Sequence, residues 1–227
     1  MKKCPSPNFD DRGKGMRVDM LVVHYTGMEN CQAAVDRLCD TDAKVSAHYL
    51  IDEDGTLYQL VDEQHRAWHA GVASWRRCTD INARSVGIEL VNPGHEFGYC
   101  EFPETQLTVF KKLAHDIIRR HDISARNVVG HSDVAPTRKS DPGEFFPWQD
   151  MAEDGIGVWP EQSDFLDMSP VAVKTALQTF GYDCENLNAA IKAFQRRFRP
   201  KRVNGRIDGE TARLALGLAD LVNGLDR

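Results

Sequence analysis

The sequence predicts an α/β fold with a mixed central β-sheet flanked by helices, followed by a small three-helix domain. Three observations lead there. Short β-branched runs alternate with helical stretches from Met20 to Val129, the pattern of strands and helices layered into one unit. After Ser169 the strand signal stops and three helical segments follow. The charge changes at the same place: ten Lys/Arg stand against six Asp/Glu from Ser169 onward and 18 against 28 before it, within a net charge of −6. All eight histidines lie at or before His131. The expected division is a first domain over 1–150, a linker over 151–167 and a helical domain over 168–227.

In order, Met20 to Val23 is an apolar run bounded by charge, hence a strand that delivers His24 at its end. Asn30 to Cys39 carries Ala33, Ala34, Val35 and Leu38 and reads as a short helix. Ala47 to Ile51 and Thr56 to Val61 flank Asp52-Glu53-Asp54-Gly55, a hairpin signal with glycine where a positive φ is wanted. Ser85 to Val91 is a buried strand broken only by Glu89. Glu104 to His121 repeats apolar residues at 107, 110, 113, 114, 117 and 118, the stripe of an amphipathic helix. Asn127 to Val129 is a last strand before a polar loop. In the tail, Pro170 to Phe180 stops at Gly181, Leu187 to Phe198 stops before Pro200, and Glu210 to Val222 is a third helix.

Composition narrows the class. A chain of 227 residues can bury one substantial core. With 41% hydrophobic and 27% charged residues it matches soluble globular proteins, and no apolar run reaches the roughly 20 residues of a membrane helix. Met1 to Met16 is polar where a secretory signal carries an apolar core. The cysteines at 4, 31, 39, 78, 100 and 184 form no CxxC pair and read as reduced, mostly buried thiols. These features predict a cytoplasmic location, with a periplasmic or outer-membrane-associated one as the alternative should a signal have been removed. A monomer is the default.

The chemistry concentrates in Gly130 to Gly143, GHSDVAPTRKSDPG. Two prolines keep this stretch out of regular structure, so its polar groups sit on a stiff loop able to converge. Lys139 and Asp141, two apart, point to one side of an extended segment. A catalytic zinc takes three protein ligands from His, Cys and carboxylate and leaves a fourth position open. His24, His131 and Asp141 could supply that set. Glu89, a lone acid inside a buried strand, needs a charged or hydrogen-bonding partner, and a water activated by a metal is one. Bland readings stand beside these: His24 as a satisfied core group, Glu89 paired with Arg84 or Lys139. His65 and His69 are spaced as in a zincin helix, but Arg66 stands where that motif requires glutamate. His48 reads as a supporting or substrate-facing group, His95, His115 and His121 as solvated, and Asp133 as a loop-forming carboxylate.

Six segments in order, VVHYT (22–26), SAHYLID (46–52), DGTLYQLV (54–61), WHAGVASW (68–75), SVGIELVN (85–92) and the 130–143 loop, resemble the zinc-dependent N-acetylmuramoyl-L-alanine amidases of the AmpD/AmiD type, relatives of the peptidoglycan recognition proteins. The resemblance implies one zinc ion held by His24, His131 and Asp141, with Glu89 as acid/base and Lys139 stabilising the oxyanion. It implies cleavage between N-acetylmuramic acid, or its 1,6-anhydro form, and L-alanine of peptidoglycan or muropeptides, in wall recycling or remodelling. Lys44, Trp68, His69 and Arg138 are the implied substrate contacts, Lys44 standing where such enzymes tend to place arginine. The tail segments LQTFGY, AIKAFQRRFRP and GRIDGETARLAL resemble a three-helix peptidoglycan-binding domain. The basic run Lys192 to Arg206 raises a nucleic-acid surface, which the spacing of Phe194 and Phe198 on a buried stripe argues against. The reading in another class is a non-catalytic protein that recognises peptidoglycan fragments.

Overall fold

The computed structural model describes residues 1–225. Among these a six-stranded mixed sheet runs in the order β1 (Lys2–Lys3), β5 (Leu57–Gln59), β4 (Tyr49–Ile51), β7 (Ser85–Leu90), β3 (Met20–Tyr25), β8 (Val128–Gly130). A separate antiparallel pair joins β2 (Phe9–Asp11) to β6 (His65–Ala67). The helices are α1 (Cys31–Cys39), α2 (Ile81–Arg84), α3 (Gly94–Phe97), α4 (Glu104–His121), α5 (His131–Val134), α6 (Trp148–Glu153), α7 (Pro170–Phe180), α8 (Leu187–Phe198) and α9 (Gly209–Leu225).

Local sequence explains most boundaries. The Asn30 side chain accepts Ala33 N–H at the start of α1, and Ser169 does the same for Ala172 ahead of Pro170 in the first turn of α7. The expected hairpin forms between β4 and β5, which pair antiparallel, with Gly55 at φ 84° in the turn. β3 lies parallel between β7 and β8, and β4 runs parallel to β7. The carboxyl ends of these four strands therefore meet along one edge, where ligands collect in parallel α/β sheets.

The two faces of the sheet have different covers. Alternation along β3 sends Leu21 and Val23 one way, into a core with Phe110, Ala114 and Ile117 of α4. It sends Met20 and Val22 the other way, into a core with Val129, Trp75, Leu177 and Phe180 of α7, Phe194 and Phe198 of α8, and Leu218 of α9. The tail, expected as a small separate domain, thus shares one hydrophobic core with the sheet. A parallel sheet needs both faces covered, and a bundle of about 60 residues buries too little by itself. The stretch 151–167, expected as a linker, is anchored by buried Met151, Ile156 and Val158. Gly181, which ends α7, packs so closely on Trp75 that a Cβ there would lie 2.6 Å from the indole.

The cysteines are free, as their spacing suggested, but only Cys184 is buried; Cys100 is exposed and the other four are partly covered. No helix among the described residues is long and apolar enough to cross a membrane.

Candidate active site

His24 ends β3, His131 opens α5 directly after β8, and Asp141 returns on the loop that follows. His24 Nδ1, His131 Nδ1 and Asp141 Oδ2 form a triangle with every side 3.0 Å. All three residues are buried. Tetrahedral ligation at 2.0–2.1 Å places donor atoms roughly 3.3 Å apart, so this triangle has the size of three zinc ligands.

The surrounding hydrogen bonds decide which nitrogens carry protons. His131 Nε2 lies 3.0 Å from Ala70 O, which can only accept, so the proton is on Nε2 and the Nδ1 lone pair faces the triangle. His24 is set by a longer chain. Ser85 Oγ donates to Ile81 O at 2.7 Å and therefore accepts from His69 Nε2 at 3.1 Å. The His69 proton being on Nε2, its Nδ1 accepts from His24 Nε2 at 3.0 Å. The lone pair of His24 Nδ1 is then turned to the triangle as well. Two bare nitrogens and a carboxylate oxygen converge with no hydrogen between them, and a cation is what such a donor set fits. Charge agrees: burial, then His131, push His24 down to about 4 against the pull of Asp141, which leaves it neutral near pH 7. Burial opposes a charge on Asp141, yet His131 and His24 hold its carboxyl far below the usual carboxylate range.

β7 explains why Ser85, Gly87 and Glu89 all serve the site. They alternate with Val86, Ile88 and Leu90, which fill the α4 core, so they share the opposite face. The His69 ring lies on Gly87, where a Cβ would come within 2.6 Å of it. Glu89 is in register with His24 across the parallel pair. Its Oε2 is buried without a hydrogen-bond partner, and Arg84 is bound to Asp19 instead. Burial, then the charge of Asp141, raise the Glu89 carboxyl well above its ordinary range, with Lys139 pulling back.

A cavity of about 240 Å³ opens over these groups, lined by Glu89, His131, Asp141, Lys139, Trp68, Tyr25 and Arg37 among others. The Lys139 ammonium has no ion-pair partner among the described residues, and Trp68 Nε1 is buried with no acceptor.

The remaining expected substrate contacts, Lys44, Arg138 and His69, differ in their distance from this cavity and in their partners. Lys44 is exposed and outside the cavity wall, in a left-handed turn at φ 51°. Arg37, from the last turn of α1, supplies the cation on that side, a residue the motifs did not single out but helical spacing from the buried Ala34 would have placed on the wall. Arg138 donates to Ala70 O and Val72 O at 2.9 and 3.0 Å and lines a neighbouring groove, so it clamps the loop that accepts from His131. His69 reaches the cavity wall, but both its nitrogens are engaged inside the protein, which makes it the support of His24. His48 binds Gly87 N–H, and His121 is paired with Glu63 rather than solvated.

Such a sheet, with a His/His/Asp donor set and an unpartnered carboxylate oxygen at its carboxyl edge, is the frame of a hydrolase. The profile of the N-acetylmuramoyl-L-alanine amidase family matches residues 14–144. The chain is 36% identical to AmiD of Escherichia coli over 90% of its length and 83% of that protein. It is 30% identical to the 1,6-anhydro-N-acetylmuramyl-L-alanine amidase AmpD of Haemophilus influenzae over 65% of its length and 88% of that protein. Its fold superposes on E. coli AmiD, solved with the substrate anhydro-N-acetylmuramic acid-L-Ala-D-gamma-Glu-L-Lys, at TM-score 0.82 and 34% identity over 92% of each chain. Pseudomonas aeruginosa AmpDh3 with anhydromuramic pentapeptide superposes at TM-score 0.83 and 35% identity, over 92% and 93% of the two chains. This chain belongs to the N-acetylmuramoyl-L-alanine amidase family.

Proposed function

We propose that this chain is a zinc-dependent amidase that cuts between the lactyl group of N-acetylmuramic acid, or its 1,6-anhydro form, and L-alanine, on peptidoglycan or on soluble muropeptides. The observation that carries this is the 3.0 Å triangle of His24 Nδ1, His131 Nδ1 and Asp141 Oδ2 with Glu89 in register beside it. His24, His131 and Asp141 would hold the zinc, which would supply a Lewis acid for the carbonyl and acidify the attacking water. Glu89 removes the proton from that water and hands it to the leaving amine; a carboxyl raised above its usual range suits both transfers. Lys139 adds positive charge where the oxyanion develops. Trp68 offers its free N–H, and Arg37 an exposed cation for the carboxylates of the stem peptide. The AmiD and AmpDh3 complexes hold anhydro-muropeptides, which supports this ligand class.

The test is mass spectrometry of products from zinc-loaded and chelator-stripped protein given anhydro-muropeptide and, separately, intact sacculi. Zinc-dependent release of free stem peptide is the expected result, and the faster substrate separates recycling from remodelling. Binding without release from either would replace this reading with fragment recognition.

A further inference from the structure

We propose that the C-terminal helices take part in the metal site: Arg197 of α8 and Tyr182, just after α7, are positioning residues for His131, acting through Asp133. α5 has only four residues, begins with His131, and is too short to hold its own geometry. What fixes its first turn is Asp133, whose Oδ2 accepts Gly130 N–H at 2.8 Å. Every other bond to that carboxylate comes from the tail. Arg197 Nη1 donates to Oδ2 at 2.8 Å and Tyr182 Oη to Oδ1 at 2.6 Å. Arg197 Nη2 also donates to Val128 O at 3.1 Å, so one guanidinium grips strand β8 and the turn that follows it. Both side chains of the ion pair are 1% exposed. The guanidinium lies 4.0 Å over the Trp148 ring, which fixes its plane.

Movement here reaches two ligands. Ser132 N–H donates to Asp141 O at 2.8 Å, and a Cβ on Gly130 would meet Pro142 Cδ at 2.7 Å. The turn, the His131 ring and the Asp141 loop are therefore packed against one another. Removing the tail partners leaves a buried carboxylate short of donors, and a shift in Asp133 carries His131 off the triangle. Within the basic run Lys192 to Arg206, Arg197 is bound to Asp133 and Arg199 to Asp208 and Glu210. Neither Tyr182 nor Arg197 lies in the 14–144 stretch that the family profile matches.

The proposal rests on the zinc reading, and the experiment separates the two. Apo full-length protein and its Arg197→Met, Tyr182→Phe and Leu218→Ala variants are titrated with zinc against a chromophoric chelator, and kcat and KM are measured on soluble anhydro-muropeptide at saturating zinc. Leu218 is buried in the bundle core and has no polar group with which to bond Asp133, so its variant lowers Tm and leaves the zinc Kd at the wild-type value. Arg197→Met weakens zinc binding about 10- to 100-fold; Tyr182→Phe, which loses one hydroxyl and keeps its ring packing, shifts Kd the same way by less and lowers kcat more than it raises KM. If Arg197→Met does not fold, Tyr182→Phe decides. Variants that melt earlier yet bind zinc as tightly as wild type overturn the positioning role. A wild-type protein that takes up no zinc overturns the reading of the site beneath it.

Discussion

Ser85→Ala tests the chain of protons that presents His24. Ser85 Oγ donates to Ile81 O and accepts from His69 Nε2, and the residue is fully buried. Alanine keeps the strand and removes the acceptor. The His69 N–H is then left unpaired in the interior, at about 1–3 kcal/mol. His69 escapes that cost by moving its proton to Nδ1, but there it meets His24 Nε2–H. Relief of that clash requires His24 to carry its proton on Nδ1, the atom of the metal triangle. Either way zinc binding bears the penalty, and about 1–3 kcal/mol corresponds to roughly 5- to 150-fold in Kd. Chelator-competition titration near neutral pH reads this directly, and activity recovers when zinc is raised to saturate the variant. A Kd equal to wild type would refute the assignment of tautomers, whatever happens to Tm.

Other outcomes follow from the same geometry. Glu89→Gln keeps the shape and removes the base, so kcat falls about 100- to 10,000-fold while zinc binding persists; turnover near the wild-type rate would remove Glu89 from the mechanism. Because the Glu89 carboxyl is raised, acidification protonates it early, and the acid limb of kcat/KM lies above the ordinary glutamate value of about 4.3; a limb at that value contradicts it. Gly87→Ala puts a Cβ 2.6 Å from the His69 ring, an overpacking worth about 1–3 kcal/mol; zinc affinity drops at least as far as in Ser85→Ala, and an unchanged Kd shows that the ring has room to move. Remote from the site, burial would raise Glu63, but Arg120, Tyr49 and His121 hold it down to about 2 from 4.5. A depressed carboxyl stabilises the fold above its unfolded value and loses that contribution as pH falls from about 4.5 to about 2, roughly 3 kcal/mol in all. Glu63→Gln therefore flattens denaturant stability across that window, and a slope parallel to wild type counts against the cluster.

The site shows how far motif reading reaches. His24, His131 and Glu89 were legible because each stands at a strand end or interrupts an apolar run, where a polar group has to be explained, and Asp141 because it closes a polar loop stiffened by proline. Their convergence is short in sequence terms only for His131 and Asp141; His24 and Glu89 arrive by strand register. The partners of His69, Lys44 and Arg138 were not legible because a side chain's partner depends on what lies across the fold. Ser85 opposite His69, the 70–72 loop beside Arg138 and the turn that carries Lys44 away from the wall are all non-local facts.

Periodicity, caps and turn residues settled β3, α1, β4, β5, β7, α4 and the three tail helices, since each depends on neighbours a few residues away, while the short β6, α2 and α3 carried no such signal. The drop in acidity after Ser169 and the ordered motifs likewise belong to the sequence alone. Tertiary structure decided where the tail sits. A basic amphipathic bundle reads the same whether it floats on a linker or lies on a sheet, because its stripe records only that something apolar covers it. The face of β3 and β8 that carries Met20, Val22 and Val129 is that cover. Arg197 then reaches Asp133 across 64 residues of chain, a pairing set by how the layers stack.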